Sequence, residues 1–512
     1  LNAYPDARWV ALKFVFEFID QQANKDAAPS VSGEDAISQL PQVLDGVFDG
    51  EDAFTILEHN RWGLSRDFKP LPDDYSTVQT GWVSSEQAGS DGVFTREPYL
   101  EFTFSEAHSS IGFTLHFEKS TGAHSNRLSV VTFGADGSVI TRADVVNHSA
   151  VCVINLLTPN YTRVRFTFHE MSRPFSRLRI SQVVFGIIET FANDSISQTS
   201  LEYELDPVAD SLPSRKAVFK IDNSDRRFDL INPRGIYAYL QQPQSFHVYM
   251  GVGETRKTIE YAAMGSFYFT TASAEDSGLT AEITAYDWFY WMDKTTYSNA
   301  AAGEWTLAEA VPTILQSAGI TCDVSIPGSS AAVKLNKVKD SMSHREALRL
   351  AVQAACCTAY FDRTGTFVVL DLASGTPTGA LDSNNMSAPP KVTIDQKVNS
   401  VELSATDAAT GTEVVYTASN VGEHEMVQKK SVTNNMVHST MGQKVADWLL
   451  LRSQSRLTYH TFERGDPSVE LADTVRIYDY FGVNRNAVII KQELTFDGGL
   501  KAESEAITVA AT

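Results

Sequence analysis

Between Ala217 and Asp293 the chain alternates apolar and polar residues with a period of two, interrupted by short polar turns. Near the end of this stretch Leu279, Ala281, Ile283 and Ala285 fall on one side, and Thr280, Glu282, Thr284 and Tyr286 on the other. Successive side chains of a strand project to opposite faces, so this pattern defines a half-buried strand. Large aromatics follow at once, at Tyr286, Trp288, Phe289, Tyr290 and Trp291. No catalytic signature lies in the segment, which reads as a framework.

The framework is one part of a longer chain. Its 512 residues exceed one ordinary core, and three or four domains are expected. A content of 43% hydrophobic residues is enough to bury several cores and excludes disorder over most of the length. Acidic side chains outnumber basic ones by 63 to 42, a formal charge of −21. Stable sequence-independent wrapping of nucleic acid needs clustered Lys and Arg, and no such run exists. Solubility is the ordinary use of an acidic surface; a wall that DNA slides past without sticking is the sharper one.

Cys152, Cys322, Cys356 and Cys357 are too few for a disulfide framework in a chain this long. Cys356 and Cys357 continue a helical pattern and read as small core residues, with metal ligation as the lesser alternative. No apolar run approaches the roughly 20 residues needed to span a bilayer, and no signal segment opens the chain. It starts at Leu1 without an initiator Met, which points to processing or to a longer parent chain.

Val10, Leu12, Phe14, Phe16 and Phe18 form the apolar face of an opening strand. The segment Thr55–Ser65 is short and closed by a Gly-containing turn, and the Pro- and Asp-rich Lys69–Asp74 marks a boundary. From Gly81 to Ile187 strands are closely spaced. Ile111, Phe113, Leu115 and Phe117 alternate with polar residues, as do Val164, Phe166 and Phe168, and Asp136-Gly137 signals a hairpin. Some eight strands over this length suggest an inserted antiparallel β-sandwich. Its GWVSS, PYLEFTFSEA and RLRISQVVFG segments resemble jelly-roll carbohydrate-binding modules. That resemblance implies glycan binding on an exposed aromatic plane, because sugars offer an apolar face ringed by hydroxyls. Trp82 is the glycan-binding candidate; a core tryptophan is the more ordinary explanation for such a residue.

After Asp194 the framework resumes. Asn223-Ser224-Asp225 and Asn232-Pro233-Arg234-Gly235 suit tight turns, and Arg226, Arg227 and Arg234 read as solvated turn charges or as partners for a neighbouring subunit's acids. The order FKIDNSDRRFD, GVG, MGSFYF and LTAEITAYDWF is similar to the central hub proteins of phage tails, with Gly265, Ala285 and Asp287 at matching positions. Thr306 with Glu309 opens a helix that Gly319 stops, and Pro312 inside it predicts a kink or a later start. Ser343 with Glu346 opens a second helix, whose buried face is Ala347, Leu348, Ala351, Val352 and Ala355. A hairpin turning at Arg363-Thr364-Gly365 follows. Residues 374–390 form a loop, and a helix over 439–455 presents Met441, Val445, Trp448 and Leu449. Gly465-Asp466-Pro467 and Gly498-Gly499-Leu500 match the last domain of the hub family. Ala472-Asp473 stands where that family has Gly-Asp, which argues against a left-handed turn there.

The expected fold is therefore mainly β with a few helices (α+β). Residues 1–74 and 190–300 form a split first hub β-barrel and 75–189 the jelly-roll-like sandwich. Residues 301–390 form a helix-plus-hairpin domain, and 391–512 a second hub β-barrel. The resemblance implies a virion protein at the distal end of a tail, made in the host cytoplasm. It would be a homotrimer whose six barrels match a six-fold tube. Its implied partners are a distal tail ring protein, the tape-measure protein, a tip fibre or spike, and passing DNA without stable binding. A host surface glycan would be met by the sandwich.

No HExxH, Walker loop, GxSxG or paired CxxC is present, so no catalytic, cofactor or metal residue is assigned and the chain reads as a non-enzyme. Glu423-His424-Glu425 reads as a solvated patch and Arg464-Gly465-Asp466 as a turn. Two other functions stay open: an adhesin acting through residues 75–189, and a tail-associated cell-wall hydrolase, whose paired carboxylates are defined by distance in space rather than by spacing.

Overall fold

Alternating strands dominate the computed structural model, which describes residues 9–46, 54–55, 69–70, 72–74, 78–118, 122–224, 226, 228, 244–255, 258–274, 279–299, 303–407, 411–478, 481 and 484–509. The turns at Asp225, Arg227 and 232–235, and nearly all of 55–65, lie outside them. The chain divides into two units, Leu1–Val15 with Thr190–Asn232 and Ser245–Thr512, and Phe16–Glu189 with Pro233–Gln244.

The first unit is built on two sets of strands that meet at one pair. Ile196–Glu204 and Asn484–Phe496 pair antiparallel, Thr199 facing Phe496 and Glu204 facing Lys491. Outward from this pair one set runs Lys216–Asp222, Thr280–Tyr286, Glu260–Ala274 and Ser245–Gly253. The other runs Leu500–Ile507, Leu457–Glu463 and Met386–Ile394. Every neighbour along both paths is antiparallel. The expected pair of closed barrels is not what forms: among the described residues the sets belong to one open 13-stranded sheet, which also takes in Trp9–Ile19, Gly186–Ala192, Thr474–Tyr478 and, parallel to that last strand, Gly379–Leu381.

The helices start and stop where the residues direct. Leu307–Ser317 begins at Thr306, whose N–H donates to the Glu309 carboxylate at 2.8 Å, and Pro312 sits inside it without delaying the start. Gly319, at φ +76°, closes it, with Gly319 N–H on the Gln316 carbonyl and Ile320 N–H on that of Leu315. His344–Ala354 is capped by Ser343 Oγ, which accepts from the Glu346 N–H at 3.1 Å. Leu307, Val311, Ile314, Ala347, Leu348 and Ala351 share one core with Phe361 and Phe367 of the hairpin. Val445, Trp448 and Leu449 of the helix Gly442–Ser453 enter the same core.

The second unit is a sandwich made by two long strands, Tyr99–Phe117 and Val151–Met171. Their register shifts between Thr103 and Gly112, so each strand serves two layers. Tyr99–Thr103 pairs with 163–167 in one layer and Gly112–His116 with 151–155 in the other. Phe113 from one layer meets Phe166 from the other with ring centres 5.5 Å apart, inside a core rich in aromatic residues. Asp136-Gly137 does make the hairpin turn, with Gly137 at φ +79°.

Residues 16–46 group with the sandwich rather than with the framework, because Ala28–Val31 adds a strand to Leu100–Thr103. The helix Gln21–Asp26 is clamped there as well. His108 Nδ1 lies 3.0 Å from Asp20 Oδ2 and its Nε2 lies 3.1 Å from Asp26 Oδ2, while the N–H groups of Ser105 and Glu106 donate to Asp26. Hydrogen bonds from Ser105 first and His108 second bring the Asp26 carboxyl down from 3.8 to about 2. A depressed carboxylate adds stability above its unfolded value, and that stability is lost as pH falls through the folded one. The stability gap between the native chain and Asp26→Asn is therefore expected to be full at pH 5 and to close between pH 4 and 2. Urea midpoints across that range measure it, and a gap that widens on acidification would refute the assignment.

Candidate functional site

Gly265 holds φ +127°, and a Cβ there would lie 3.1 Å from Arg215 Nη1 and 3.3 Å from the Phe267 ring. The missing side chain is the room that the Arg215 guanidinium needs. Arg215 Nε donates to Asp287 Oδ2 at 3.3 Å, and its Nη1 donates to the Asp362 carbonyl at 2.9 Å. Both charged residues are buried, at 3% and 1% exposure. Asp287 Oδ1 also accepts from the Phe289 N–H at 3.1 Å, which starts the short helix Trp288–Met292. Burial raises the Asp287 carboxyl above the usual carboxylate range, and the Arg215 charge opposes that rise. Ala285, the third matching residue, is fully buried beside Ala217 and Phe269 on the neighbouring strands.

The Asp362–Thr366 turn that Arg215 reaches holds a second buried guanidinium. Asp362 Oδ1 accepts from the N–H groups of Thr364 and Thr366, and Gly365 at φ +90° completes the turn. Arg363 donates through Nη1 to the Pro467 carbonyl, and through Nη2 to the Val469 carbonyl at 2.5 Å and Gln492 Oε1 at 3.1 Å. Its Nε lies 3.3 Å from Glu470 Oε1, and its guanidinium sits over Tyr203, 5.5 Å from the ring centre. Tyr203 donates its hydroxyl to the Met264 carbonyl at 2.7 Å, and burial pushes that phenol up to about 12. One hairpin turn thus ties the helical region to both halves of the sheet.

A pocket of about 530 Å³ opens beside this node, walled by Arg215, Tyr268, Asp287, Trp288, Asp323 and Thr366. Tyr268 lies against Trp288, ring centres 3.9 Å apart. Phe289 is buried against Phe361 and Phe367 at 4.9 and 6.1 Å. Trp288 and Phe289 of the aromatic cluster thus pack between strand and helix.

The other residues singled out by sequence fall as follows. Trp82 is fully buried against Phe168, and its indole N–H donates to the Gly33 carbonyl at 3.2 Å. It offers no exposed plane to a sugar, because its strand turns that position into the aromatic core. Cys356 and Cys357 lie just past a helix rather than on it. Cys356 takes φ +58° in the closing position that usually holds glycine, and burial pushes the two thiols up to about 12 and 11. Glu425 bonds Lys397 and the Gly422 N–H in a turn. Gly465 takes φ +72°, and Asp466 Oδ1 accepts from the Ser468 N–H at 2.9 Å, which makes a turn of Arg464–Asp466. Ala472 is left-handed too, at φ +67°, against expectation, since its N–H on the Ile489 carbonyl and the Ile489 N–H on the Asp473 carbonyl fix it from outside. Sequence reasoning missed Arg215 and Arg363; the one signal was the Ala-x-Asp match, which marks a buried acid in need of a cation.

Neither a protein-family model nor a curated protein matches the sequence. Among solved structures the chain is similar to the tail protein from Neisseria meningitidis, at 14% identity and TM-score 0.47, over 62% of this chain and 94% of that one. It is similar to a 43 kDa tail protein of prophage MuSo2 from Shewanella oneidensis, at 12% identity and TM-score 0.43, again over 62% and 94%. A chitosan-binding module from Paenibacillus is matched at 12% identity and TM-score 0.21, over 32% of this chain and 95% of the module.

Proposed function

We propose that the chain is the hub subunit at the distal end of a phage tail. Three copies form a ring, and their six sheet halves meet the six-fold tube. The observation that carries this reading is the framework sheet, in which two largely antiparallel sets of strands join edge to edge through Ile196–Glu204 and Asn484–Phe496. The residues that carry the hub resemblance support it, since Gly265, Asp287 and the Gly465–Pro467 turn all serve internal bonds that fix shape. In this role the chain lines or closes the tail channel with a net acidic lumen, joins the distal tail ring protein to a tip fibre or spike, and opens for release of the tape-measure protein and passage of DNA. It performs no bond chemistry. The sandwich presents the surface that meets a host glycan. Native mass measurement of the purified chain is expected to give three subunits; a stable monomer would overturn the reading.

A further inference from the structure

Two arginines stand in adjacent rows on the outer face of one sandwich layer. Arg165 is opposite Glu101 on Tyr99–Phe117 and opposite Val131 on Ser125–Phe133; Arg163, one row further, is opposite Thr103 and Phe133. Directly opposed residues of a sheet project to the same side, so these groups share a face. The Arg163 guanidinium lies over the Phe133 ring, 3.9 Å from its centre, and that of Arg165 lies over Tyr99 at 4.4 Å. Arg165 Nε donates to Glu101 Oε2 at 2.7 Å, while Arg163 Nη1 is 3.7 Å from the same oxygen, beyond hydrogen-bond reach. One carboxylate thus serves two guanidiniums, and one positive charge is left over. Among the described residues Arg163 makes no hydrogen bond, and Arg165 makes none through its Nη groups. Both side chains are part-exposed, at 34% and 37%, above a Glu101 side chain that is only 11% exposed.

A surface arginine ordinarily moves freely in water and gains little from one neighbour. These two are held by a ring face each and by Glu101, so less ordering remains to be done when a ligand arrives. We infer that Arg163 and Arg165 form an oxyanion site, which takes a carboxylate or phosphodiester group of an acidic cell-surface polysaccharide on their open Nη groups. The inference rests on the glycan contact proposed above and gives it residues and a ligand class. A guanidinium stacked on a ring keeps its edge free, and that edge is the fork that matches two oxygens of a carboxylate or phosphate. The surroundings permit it. Residues 75–189 carry ten acidic and nine basic side chains, a net charge of −1, whereas the whole chain carries −21. The sandwich therefore repels a polyanion far less than the rest of the chain does. Duplex DNA is disfavoured, because non-specific affinity for it comes from many phosphate contacts at once, and two arginines supply few of them.

The test is calorimetric titration of the intact chain with three oligomers of equal length, one of uronic acid, one linked by glycerol phosphodiesters and one of neutral hexose. Duplex DNA is a fourth arm, and melting curves are taken alongside. Native protein is expected to bind at least one acidic oligomer about tenfold or more tighter than the neutral one, the scale of a charge-assisted hydrogen bond. Arg163→Gln combined with Arg165→Gln should remove that preference and leave the neutral oligomer unaffected. Glu101→Gln should act in the opposite direction and tighten the acidic oligomer, since it removes the carboxylate that competes with the ligand; loss of folding cannot imitate a gain. The inference is overturned if the double variant keeps the preference, if Glu101→Gln binds no tighter than the parent, or if DNA binds tighter than both acidic oligomers. Equal or better binding of the neutral oligomer would sink it and leave the glycan contact standing. No binding of any oligomer would remove both, whatever the subunit count.

Discussion

Replacing Arg363 by methionine is expected to lower unfolding free energy by about 3–5 kcal/mol, the range for breaking a buried charged network by removing one partner. The side chain reaches the Pro467 and Val469 carbonyls and Gln492 at once, with Glu470 beside it, and it is itself 8% exposed. Methionine fills much of the same volume but leaves three acceptors unsatisfied, each worth about 1–3 kcal/mol when buried. Lysine should recover little, because a single ammonium cannot span the fork that a guanidinium presents. Urea unfolding followed by tryptophan fluorescence measures the loss. A change below about 1 kcal/mol would mean that the Gly465–Pro467 turn holds its shape without the arginine.

The second large effect is expected at Asp287. Substitution by alanine leaves the buried Arg215 charge without its counter-ion and removes the cap of Trp288–Met292, for a loss of about 3–5 kcal/mol. The double variant Arg215→Met with Asp287→Leu should recover more than half of it, since a buried pair replaced by apolar groups is often neutral. A double-mutant cycle separates the two cases. If the losses simply add, the pair is not coupled and the account of Gly265 as room for the guanidinium fails with it.

Local devices were legible in the sequence. Thr306 with Glu309, Ser343 with Glu346, and the glycines at 137, 319 and 365 direct nearby backbone, and nearby backbone is what a sequence states most openly. Long-range arrangements were not. Whether a set of strands closes on itself depends on which edge meets which, and Thr199 meeting Phe496 has no local signature. Trp82 was a glycan candidate only by size and nearness to a domain edge, and the more ordinary reading, a core tryptophan, is what forms, with Phe168 among its neighbours across the sandwich. Ala472 shows the same limit in reverse, because Ile489 imposes a turn that alanine would not choose. The arginines of the node gave least warning, since a charged residue at a strand end or hairpin turn usually lies in water.

The pairing of Ile196–Glu204 with Asn484–Phe496 also sets a timetable. While the chain is being made, the first half of the sheet can complete its own strands, yet its edge at Thr199–Glu204 has no partner until Lys491–Phe496 leaves the ribosome. At typical synthesis rates that wait is roughly 15–60 s. An unpaired strand edge over such an interval invites association with other nascent chains. Assembly of the framework is thus a late event in the chain's synthesis, and the protein's yield in the cell should depend on whatever shields that edge in the meantime.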